Sequence, residues 1–160
     1  MDYHIILFIA MMTVFISYIS FIWIKYGVQS SISQSYYALP KDWNILFTLF
    51  CWGFAFPAII LGVEVTGLMF FAGAGIAFVG AAAAIKDTFV EKVHTIAATS
   101  GIIFSQLAIF FGYHMWELNV ASIVIALLVQ LLVKKNTLWW VEIVAFLTMA
   151  AALFMHLQII

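Results

Sequence analysis

Between Gly67 and Ile85 the chain carries no charged residue, and ten of the thirteen positions from Ala72 to Ala84 are Gly or Ala. A helix with so little side-chain bulk lets neighbouring backbones come close, and in lipid such close packing is what holds helices together. The stretch therefore reads as the central helix of a membrane bundle. Gly73, Ala77, Gly80 or Ala81, and Ala84 recur at helical spacing on one face, and Gly75, Ala82 and Ala83 form a second, so at least two neighbours can pack against it. The small residues themselves supply contact and no chemistry.

The rest of the chain has the same solvent in mind. Two-thirds of its residues are hydrophobic and 8% are charged, against about 25% in an average soluble domain. At about 20 residues per crossing, 160 residues leave room for about six spans once loops are subtracted. The expected fold is all-α, a single polytopic transmembrane bundle over 1–160 with spans near 4–24, 43–62, 67–86, 93–113, 117–133 and 138–158. The opening Met-Asp-Tyr-His lacks the basic stretch and small-residue cleavage site of a secretory signal, so the first span reads as retained.

The six lysines fall in alternate loops: Lys25 and Lys41, Lys86 and Lys92, Lys134 and Lys135. By the positive-inside rule these loops are cytoplasmic and both termini are outside, which places the protein in a cell membrane, the inner membrane if the cell is bacterial. The lipid bilayer is the first partner expected, with a second copy of the chain or another membrane protein beside it. A net charge of -1 and the absence of Arg exclude a phosphate-tracking surface, so no nucleic-acid partner is expected. Cys51 is the only cysteine, which removes disulfides and thiolate metal sites within one chain. No feature calls for a cofactor.

Within the spans, polar residues mark faces. Thr13, Ser17 and Ser20 share one face of the first span and are expected to point inward; Asn44, Thr48 and Cys51 share one face of the second, in which Pro57 should introduce a kink. The fourth span has two polar stripes, one of His94, Ala98, Gly101, Ser105 and Gly112, the other of Thr95, Thr99, Gln106 and Tyr113. Lys86 to Lys92 reads as a short charged connector, and residues 27–41 as a long Ser-rich loop in solvent.

In that loop, Ser31-Ile32-Ser33-Gln34-Ser35-Tyr36-Tyr37 standing before a span, with Val93-His94-Thr95-Ile96-Ala97-Ala98 opening a later one, resembles a family of uncharacterised bacterial multi-pass membrane proteins. Members read Ser-Ile-Ser, a paired Tyr, a span, and later a Val-His-x-x-x-Ala helix start. Where a His-Thr often follows the paired Tyr, this chain has Ala38-Leu39. A more remote resemblance is to the ceramidase and progestin-receptor superfamily of membrane hydrolases, whose zinc site is built from three His; the last helix here offers His156 without the superfamily's His-x-x-x-His. The first resemblance implies a multi-pass bundle and no activity; the second implies a metal-dependent hydrolase.

Three kinds of chemistry are open. His4, His114 and His156 map to the outer helix ends with Glu64 and Glu117, and imidazoles with a carboxylate are zinc ligands, while an interfacial His is equally an amphipathic residue at a wet boundary. His114 and Glu117 share a face if the intervening turn is helical. Glu142 lies about one turn inside the sixth span, where a carboxylate must find a partner; His94 is the first expected, ahead of Lys134, Lys135 and Tyr36, and the pair would relay protons or lock two helices. Ser33 and Ser35 become nucleophiles only beside a base. The function classes are accordingly a structural or accessory bundle without catalysis, a small transporter or channel, and a metal-dependent hydrolase acting on lipid.

Overall fold

The computed structural model describes residues 3–84 and 88–158, and among them every regular element is helical. The chain runs through α1 (Tyr3–Tyr26), a single turn α2 (Ser35–Ala38) with a 3-10 turn at Lys41–Trp43, α3 (Ile45–Val63), α4 (Leu68–Ala84), α5 (Thr88–Leu107), a π turn (Ala108–Gly112), α6 (Trp116–Leu132) and α7 (Thr137–Leu157). Six long helices thus stand where the six apolar segments predict them, with ends within a few residues. Four stretches, Tyr3–Tyr26, Lys41–Val63, Val93–Gly112 and Thr137–Leu157, are long and apolar enough to cross a membrane, and α4 and α6 are shorter apolar helices.

The long helices alternate in direction. At one end of the bundle His4 of α1 lies 3.8 Å from Glu64 after α3, the Phe8 and Phe154 rings are 5.4 Å apart, and Tyr113 meets His156 edge to face at 5.5 Å. At the other end Trp23 meets Trp140 at 5.9 Å, and Asn136 Nδ2 donates to the Val28 carbonyl at 2.8 Å. The start of α1 and the end of α7 therefore share one end. The loop after α1 shares the other with the start of α7.

α3 and α4 together occupy the middle of the bundle. About half of the side chains of α3 and of the described part of α4 are buried, against about a third or less in the apolar stretches of α1, α5 and α7, and α3 packs on α1, α4 and α7. Its Phe47, Phe50 and Phe54 fill the centre with Phe15 of α1 and Phe146 of α7. α4 is held tightly between α3 and α5, while Phe70, Phe71 and Phe78 turn outward. The two small-residue faces are used as their spacing predicts. A Cβ added at Gly80 would come within 2.6 Å of Cys51 Cβ in α3, and one at Gly75 within 2.7 Å of the Ala97 carbonyl oxygen and 2.8 Å of Gly101 Cα in α5. Thr48 and Trp52 of α3 add hydrogen bonds to the Gly80 and Ala77 carbonyls of α4 at 3.0 and 3.1 Å.

Three expectations change. Thr13 and Ser17 face outward and Ser20 is half-buried, while Met11, Phe15, Tyr18 and Ile22 form the inner face of α1; Thr13 Oγ1 donates to the Ile9 carbonyl at 2.8 Å, so its hydroxyl needs no partner on another helix. α5 begins at Thr88, so the charged connector is shorter than Lys86 to Lys92; Lys86 itself lies outside the described residues. The Ser-rich loop folds into the bundle, with Ser31, Ile32, Ser35, Tyr36 and Leu39 all buried. Pro57 sits inside a continuous α3.

Candidate functional site

The buried loop is organised by its backbone and hydroxyls. Ser31 Oγ accepts the Gln34 N–H at 3.0 Å and lies 3.0 Å from Ser33 Oγ. Ser35 Oγ donates to the Ile32 carbonyl and meets the Tyr18 hydroxyl at 2.6 Å. These short-range bonds satisfy polar groups that the loop carries away from water, which is the condition for irregular backbone at such depth. Asn44, its amide oriented by its contacts, reaches the Tyr36 and Pro40 carbonyls at 3.3 and 3.2 Å and accepts from the Tyr36 hydroxyl at 3.1 Å, tying the far side of the loop to the start of α3. The remaining tie is to α7. The Ile32 N–H donates to Glu142 Oε2.

Behind that bond lies a cavity of about 60 Å³ between the loop, α3, α4, α5 and α7. On the α5 side it is bounded by the small residues Ala98 and Gly101 together with Ile102 and Ser105. Its polar lining comes from Glu142, Ser33 and Ser105, with the Cys51 thiol; the rest is apolar, including the Phe47, Phe50 and Phe146 rings. Volume of this order holds about two water-sized groups. The chemistry it offers is one carboxyl, two hydroxyls and a wall of rings.

The sequence-derived candidates separate into two groups. Glu142 and Ser33 come together on this cavity, and the first polar stripe of α5 faces it through Ala98, Gly101 and Ser105. His94 is half-buried on α5, and no described hydrogen bond joins it to Glu142, whose described partner is the Ile32 backbone. No imidazole lines the cavity among the described residues; the group there able to act as a base is Glu142, whose Oε2 accepts the Ile32 N–H. At the other end, His4 faces Glu64, His156 packs on Tyr113, and His114 takes a left-handed conformation with φ 56° before α6 begins at Trp116. His114 and Glu117 are thus not on one continuous helical face, and both are exposed. Among the described residues no three His, Cys, Asp or Glu side chains gather as a metal site.

Two features escaped the sequence reading. The loop's burial is signalled, in retrospect, by Ile32, Tyr36 and Leu39 at spacings of four and three, an apolar stripe inside a Ser-rich segment. The π turn at Ala108–Gly112, where the Tyr113 N–H donates to the Ala108 carbonyl at 2.9 Å, has no comparable signal. Searches with protein-family models, among curated proteins and among solved structures found no match to this chain.

Proposed function

We propose that this chain is an integral protein of a cell membrane, a bacterial inner membrane in particular, that crosses it six times and serves as a structural or accessory bundle without catalysis. Six antiparallel helices on six apolar segments support the number of crossings; α4 and α6, at 17 residues each, stand at the short end of the roughly 17–25 residues that span a bilayer. The lysines of the alternate loops support a cytoplasmic loop 27–44 and outer termini. Resemblance to the multi-pass bacterial family agrees with this setting and adds no activity.

The observation that carries the non-catalytic reading is the commitment of Glu142. Its Oε2 accepts the Ile32 N–H, so the carboxyl fastens the loop to α7, as intramembrane polar groups do when they act as glue. The test is turnover: the purified chain in liposomes holding fluorogenic lipid esters should hydrolyse no faster than empty liposomes, and hydrolysis abolished by Ser33→Ala would overturn the reading in favour of the hydrolase.

A second reading, a small transporter, is favoured by the cavity, because a carboxyl facing enclosed space inside a bundle is where a translocated solute would pause. Flux of a solute into proteoliposomes, lost in Glu142→Gln, would replace the structural reading with this one. The outward apolar face of α6, from Val120 to Leu132, is left for lipid or for a second membrane protein.

A further inference from the structure

We propose that the cavity beside Glu142 binds a small primary alkylammonium ion, its charged head against the carboxylate and its alkyl chain against α4 and α5. Three observations carry this, and none depends on whether the bundle transports. The first is charge: Glu142 is the only ionic side chain among the described lining residues, and no Lys or His stands opposite it. A buried carboxylate lacking a cation is costly, and a cation that enters beside it offsets that cost. Oε2 already holds the Ile32 N–H, and no described hydrogen bond ends on Oε1.

The second observation is the wall around the carboxyl. The Phe50 and Phe146 rings, 5.9 Å apart, and Phe47, 6.2 Å from Phe50, line the same space. Aromatic faces attract ammonium ions, more strongly where water is excluded. A primary ammonium also has three N–H donors, and the residues lining the cavity include three that carry accepting oxygens, Glu142, Ser33 and Ser105. Ser105 gives its own proton to the Ile102 carbonyl at 2.8 Å, which leaves its lone pairs for a donor. A quaternary ammonium would leave all three acceptors unmet.

The third is size and polarity. The far wall is Ile76, Val79, Ala98 and Ile102, without a polar group to satisfy. A volume of about 60 Å³ takes about two to three non-hydrogen atoms at the roughly 25 Å³ each that benzene has in a cavity of about 150 Å³, which sets the ligand near ethylammonium.

Equilibrium binding of radiolabelled ethylammonium to the full chain in nanodiscs tests this. A saturable component is expected, displaced by unlabelled ethylammonium and not by ethanol, its neutral counterpart, at the same concentration. Glu142→Gln keeps an acceptor for Ile32 and should weaken binding about tenfold or more; Ala145→Leu, which fills the cavity from α7 and leaves Glu142 in place, should do the same. If Glu142→Gln loses its helical circular dichroism, Ala145→Leu and the ethanol comparison decide. No saturable component, equal displacement by ethanol, or wild-type affinity in folded variants overturns the proposal, and displacement by tetramethylammonium as effective as by ethylammonium overturns the primary-ammonium assignment.

Discussion

At the scale of single residues, the bond between the Ile32 N–H and Glu142 decides where the loop sits. Removing the acceptor leaves a buried backbone donor unsatisfied, which costs about 1–3 kcal/mol. Glu142→Ala should therefore lower the thermal midpoint in detergent and speed hydrogen exchange at the Ile32 amide, and Glu142→Gln should do less of both because the amide oxygen still accepts. A Glu142 and His94 double-mutant cycle should give coupling within about 0.5 kcal/mol of zero, whereas Tyr18→Phe with Ser35→Ala should couple, their hydroxyls being 2.6 Å apart. Strong coupling between Glu142 and His94 would return His94 to the site. The need of Glu142 for an inward partner was legible from its depth in an apolar segment. The identity of that partner was not, because every residue except proline has the same N–H and the sequence marks none of them as available.

At the scale of elements, the α4–α5 contact is limited by backbone rather than by side chains. A methyl at Gly75 would meet the Ala97 carbonyl oxygen and the Gly101 backbone at 2.7–2.8 Å, and neither can turn aside as a side chain would. A methyl at Gly101 finds its nearest neighbour at 3.4 Å, near ordinary contact. Gly75→Ala is expected to destabilise by about 1–3 kcal/mol, as overpacking does, and Gly101→Ala to lie near zero, helped by the roughly 1 kcal/mol by which Ala surpasses Gly in a helix. Leu127→Ile on the outward face of α6 should change the melting temperature little. Equal losses for the two glycines would mean that α4 and α5 are further apart than described. The spacing of small residues revealed both packing faces of α4. It did not show which residues of the helix would turn outward; Phe70, Phe71 and Phe78 meet the outside.

At the scale of the whole molecule, the alternation of six helices puts the loop end and the terminal end on opposite faces, and the lysines then choose which face is cytoplasmic. Lys25 lies over the Trp43 ring at 4.8 Å, a pairing that, in the proposed topology, would anchor a helix end at a boundary between lipid and water. Single cysteines at Asp42 and Glu117, both exposed and at opposite ends, can report the choice in a Cys51→Ala background, Cys51 itself being buried. Ser33, although in the same loop as Asp42, would make a poor reporter because it lines the interior. An impermeant thiol reagent added to intact cells should label Glu117→Cys and reach Asp42→Cys only after the membrane is opened. The reverse pattern would place the Ser-rich loop and its bond to Glu142 on the outer face, and any cation entering from the loop end would then come from outside the cell. Labelling of both in intact cells would mean that the chain does not adopt a single orientation, and the lysine pattern would lose its force as a determinant.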